Sequence, residues 1–88
     1  MIKSKQQIID DGQEAGRLLR DTDLIRFLDE TEQDCWEEFK ATNTGDKDVR
    51  EDIYMKLRGV QAFRQKLRAM EDNATIEKKL KWSHNMEL

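Results

Sequence analysis

Between residues 49 and 70 an apolar side chain returns at every third or fourth position: Val49, Ile53, Leu57, Val60, Phe63, Leu67 and Met70. That recurrence is the buried stripe of a long amphipathic helix, whereas a strand would alternate with a period of two. Nothing interrupts it, because the 88-residue chain contains no proline, the residue whose ring and missing N–H break helices. Charged residues make up 40% of the chain and apolar ones 36%, with only four glycines, a balance that suits solvated helices rather than a sheet or a disordered chain. The fold class expected is all-α.

Two further helices precede this one. Ser4 and Gln7 fit a capping box, so a first helix is predicted over about residues 4–19. Its inward stripe is Ile8, Gly12, Ala15 and Leu19, with Ile9 and Leu18 beside it. Gly12 and Gly16 fall one turn apart on one face, and each lowers helix propensity by about 1 kcal/mol relative to alanine. Either another backbone comes close there or the helix frays. "RDTD" at residues 20–23 offers capping oxygens from Asp21, Thr22 and Asp23, which starts a second helix running to about Lys40. Leu24, Ile25, Leu28, Cys35 and Phe39 form its stripe, with Trp36 alongside and Thr31 and Glu32 interrupting it. "ATNTGDKD" at residues 41–48 reads as a loop in which Asn43 and Gly45 can take left-handed backbone angles. The third helix is predicted over about 48–71 and stops at "EDNAT", with a short fourth helix over 75–82 that the pattern only weakly specifies.

A loop centred near residue 44 folds the second and third helices into an antiparallel hairpin, pairing residues whose numbers sum to about 88. The stripes then meet: Phe39 with Val49, Cys35 with Ile53, Leu28 with Val60, and Leu24 or Ile25 with Phe63. Charge agrees with this pairing. Residues 21–42 carry eight acidic side chains against two basic, and residues 46–70 carry seven basic against four acidic. The register sets Lys56 and Arg58 beside the acidic run at 29–34 and Arg50 beside Glu37 and Glu38, a complementarity that favours this pairing over like-charged ones. The expected organisation is a single small helical domain over 1–88, with an N-terminal docking helix in 1–20, the hairpin in 21–71 and a polar basic tail in 72–88.

Several functional classes find little support. The net charge of −3 gives no global attraction for nucleic acid. A local basic end remains, in which Arg64, Lys66 and Arg68 with Lys78, Lys79 and Lys81 are the candidates for phosphate contact. Cys35 stands alone, which excludes an internal disulfide or a cysteine cluster for zinc, and His84 has no second ligand or triad partner spaced around it. The carboxylate pairs Asp10–Asp11, Asp29–Glu30 and Glu37–Glu38 are neighbours on helices and point apart, unlike a dyad that must face one substrate. No enzymatic activity, cofactor or metal is expected. With no apolar run long enough to span a bilayer and no signal-peptide core, the expectation is a soluble intracellular protein.

Protein binding is the remaining class. Gly12 and Gly16 offer a flat surface to another helix, Trp36 and Tyr54 flank the hairpin, and Trp82 is an aromatic ring in a basic tail. A chain this short also gains stability readily by associating. A homo-oligomer, a protein partner or both are expected.

The succession "AGRLLRDTDLIRFLDETEQDCWEEFKAT", a polar loop and "REDIYMKLRGVQAFRQKLRAM" resembles small helical proteins encoded in the morphogenesis regions of tailed bacteriophages. Leu18, Leu19 and Asp21, then Trp36 and Thr42, then Arg50, Glu51 and Tyr54 carry the likeness, over about residues 15–70. The resemblance implies a virion or assembly protein in the host cytoplasm or the particle, bound to itself or to another phage protein. The alternatives are a DNA-packaging or regulatory accessory that touches DNA through its basic end, and a host-directed phage inhibitor.

Overall fold

A computed structural model describes residues 2–86, with side chains through residue 80. The fold is all-α, with α1 at Lys5–Leu19, α2 at Thr22–Lys40 and α3 at Lys47–Met86. Forty residues at 1.5 Å each make α3 about 60 Å long, close to the full 66 Å extent of the molecule. Both shorter helices lie along it. α1 packs against its C-terminal half and α2 against its N-terminal half, and contact between α1 and α2 is slight. Both run antiparallel to α3. Along α1, Gly12 meets Met70 and Ala74 while Gly16 and Arg20 reach Glu71. Along α2, Asp29 and Glu32 reach Arg64, Glu38 reaches Lys56, and Phe39 lies under Arg50. The molecule is therefore a long hairpin whose first arm is broken once.

Short-range chemistry sets the ends. Ser4 caps α1, its Oγ accepting from the Gln7 backbone N–H at 3.1 Å. The break between α1 and α2 needs one extended residue, Asp21, whose carboxylate accepts from the backbone N–H groups of Asp23 and Leu24 at 3.0 and 3.1 Å. The loop after α2 closes without any left-handed residue, since no described residue has a positive φ. Asn43 and Gly45 therefore do not use the freedom expected of them. Instead the Asp46 N–H donates to the Asn43 carbonyl and the Asp46 carboxylate accepts from the Asn43 N–H, both at 2.9 Å, and these reciprocal bonds tighten the turn.

Two sequence expectations are corrected. α3 does not stop at residue 71, and no separate helix begins at 75. "EDNAT" contains no glycine or proline, and Ala74 within it is buried in a region packed by α1, so tertiary packing carries the helix through weak formers. The hairpin register also differs along its length. Cys35 and Ile53 share the core as expected, and Leu57 joins them. Lys56, however, pairs with Glu38 instead of the run at 29–34, where Arg64 takes Asp29 and Glu32. Leu28 and Val60 are only half-buried and line an open groove.

In α1 the small residues, not the leucines, form the contact. Ile9, Gly12, Ala15 and Gly16 are buried, while Ile8, Leu18 and Leu19 are half-buried. Of the two readings of the glycine pair, close approach is the one realised. A Cβ on Gly12 would collide with the Ala74 Cβ and the Met70 carbonyl, and one on Gly16 would collide with the end of the Glu71 side chain.

Candidate protein interface

The seam between α2 and α3 is thinly covered. Its buried centre is Cys35, Ile53 and Leu57, with Phe39 packed against them, and no large side chain among the described residues is fully buried. Phe27, Trp36, Tyr54 and Phe63 are each about half exposed, at 53%, 48%, 53% and 43%. Met55, two positions after Ile53, is more exposed still and faces away from the seam. Four aromatic side chains are thus left half open along the flanks of one seam.

Two different surfaces flank the seam. At 100° per residue, Trp36 and Tyr54 follow Cys35 and Ile53 by one position each and emerge together on one side. There Trp36 meets Phe39 edge-on, with ring centroids 6.1 Å apart, and the Arg50 guanidinium lies 4.3 Å over the Phe39 ring. Arg50 Nε is buried without a hydrogen-bond acceptor, so the face of the ring is the group that receives its charge. On the opposite side α2 and α3 stand apart and leave a groove of about 570 Å³. Leu28, Cys35, Val60 and Phe63 give it an apolar floor, with Gly59 between them, and Asp34, Glu38 and Lys56 stand at its rim.

The basic candidates separate into two groups. Arg64 is committed inside the chain: its Nη2 donates to Asp29 and its Nε to Glu32, each at 2.7 Å, and its side chain is only 14% exposed. Burial pulls its pKa down, but the hydrogen bonds to the two carboxylates outweigh that and raise it above its ordinary value. Lys66, Arg68, Lys78 and Lys79 are exposed. The side chains of Lys81, Trp82 and His84 lie outside the described residues.

Gly12 and Gly16 are occupied by α3 of the same chain, so the flat surface they offer is already covered. Trp36 and Tyr54 stand open on the aromatic side of the seam. The groove side, with Gly59 and Phe63, was not legible as a site. One signal for it was present: Gly59 sits in the middle of a strong helix, where glycine is as costly as at positions 12 and 16.

Among the described residues no group of three or more His, Cys, Asp or Glu side chains is placed to hold a metal, and no helix is long and apolar enough to cross a membrane. Comparison with protein-family models, curated proteins and solved structures gives no match.

Proposed function

We propose that this chain acts by binding protein, as a non-enzymatic component of tailed-phage particle assembly. The observation that carries the binding role is the half-open α2–α3 seam, where aromatic side chains stand exposed on a scaffold otherwise rich in charge. Its aromatic side, with Trp36 and Tyr54 beside the Arg50–Phe39 stack, has the residue types that serve as anchors at protein interfaces. The phage context is supported by the resemblance over residues 15–70 alone. DNA contact is the weaker reading, because Arg64 is already paired and α2 lays an acidic face beside the basic helix.

Co-expression with the products of the adjacent genes in its genome tests this. The expected result is a complex of fixed stoichiometry with one of them, lost when Trp36→Glu and Tyr54→Glu are combined while the circular dichroism stays helical. Failure to bind any adjacent product, or a complex indifferent to both substitutions, would overturn it.

A further inference from the structure

Three glycines lie inside helices, and the structure accounts for two of them. Gly12 and Gly16 let α1 approach α3. Gly59 has no such neighbour, for a Cβ built on it meets nothing within 4 Å. Glycine weakens a helix interior wherever it stands, and here it does so in the groove wall facing open space. Removing a side chain at that point makes room for something outside the chain.

We propose that the groove face binds a second copy of this chain, forming a two-fold four-helix bundle in which α2 of each copy lies across α3 of the other. The proposal rests on the protein-binding reading and names the first occupant of that surface. Charge selects the occupant and its orientation. Two hairpins laid face to face by a two-fold axis have two arrangements. An axis perpendicular to the helices sets α2 on α2, bringing together two segments that each carry eight acidic side chains against two basic. An axis parallel to the helices sets α2 on α3, acidic on basic, and because the two are antiparallel within one copy they remain antiparallel between copies.

The rim charges fit the second arrangement. Glu38 and Lys56 stand 3.8 Å apart across the seam of one copy, so they occupy the same level along the bundle. A two-fold axis parallel to the helices preserves that level. It places Lys56 of one copy opposite Glu38 of the other, with Asp34 one turn away on the same rim. The half-exposed Phe63 and the half-buried Leu28 and Val60 then close over each other, with Gly59 admitting the facing helix. Apolar burial supplies the attraction and the charges decide the orientation.

Sedimentation of the full purified chain over a concentration series tests this. The expected result is a reversible dimer. Gly59→Leu should weaken it by at least about tenfold, with helical content unchanged because the monomer has space for that side chain. Glu38→Lys and Lys56→Glu should each weaken it, and mixing the two variants should restore a heterodimer. Mixing cannot repair the pair within either chain, so rescue reports contact between copies. A monomer at every concentration would overturn the proposal while leaving binding to an adjacent gene product intact. A dimer insensitive to Gly59→Leu, or one not restored on mixing, would overturn it as well.

Discussion

Gly12 lies against Ala74 and the Met70 carbonyl with no room for a Cβ between them, which fixes α1 on the far half of α3. This contact makes α1 part of the folded body. Gly12→Ala should therefore destabilise the chain by about 1–3 kcal/mol, even though alanine is the better helix former. The obstruction includes backbone, so Ala74→Gly should relieve it only in part. A denaturant series on the two single variants and the double variant measures both effects, and a stabilising Gly12→Ala would mean that α1 does not pack this way.

Gly16 should behave differently. A Cβ there meets the flexible end of Glu71, which can turn aside, although the Arg20–Glu71 contact at 3.3 Å then has to rearrange. Gly16→Ala is expected to fall within about 0.5 kcal/mol of the parent, the propensity gain offsetting the loss of an exposed ion pair. Its melting temperature beside that of Gly12→Ala is the direct comparison.

Arg64 joins two carboxylates of α2 from a nearly buried position, so Arg64→Ala should cost about 1–2 kcal/mol, more than any other ion-pair residue on the surface. A lysine ammonium cannot reproduce the planar fork that serves Asp29 and Glu32 together, and Arg64→Lys should recover less than half of that loss. Equal stability of Arg64→Ala and Lys66→Ala in urea would show that the bridge contributes nothing.

Within the seam, burial ranks the apolar residues. Leu57→Ala, at the buried centre beside Cys35 and Ile53, should cost about 2–4 kcal/mol, and Leu28→Ala, on the open groove wall, clearly less. Chemical denaturation of the two variants at concentrations where the chain is monomeric decides it, and similar losses there would mean that α2 and α3 close over Leu28 without a second copy.

Much of the architecture was legible in the chain itself. Apolar periodicity and the absence of proline specify three amphipathic segments, and the capping residues Ser4 and Asp21 specify the starts of the first two, because these depend on interactions within a few residues. The opposite charges of α2 and α3 indicated that they pair. Cys35 with Ile53 followed from matching the two stripes.

Where α3 ends, what Gly12 and Gly16 face, and which carboxylates hold Arg64 were decided by tertiary structure. Each depends on a partner distant in sequence. Ala74 continues the helix through a weak stretch because α1 lies on it, and the register departs from the matched stripes where Arg64 reaches Asp29 and Glu32 at once. Local propensity differs by only about 1 kcal/mol per residue, less than one well-packed contact supplies, so long-range packing settles such ambiguities. The same reasoning separates the three helical glycines: sequence marks all of them as costly, and only the fold shows that two are filled from within and the third faces open space.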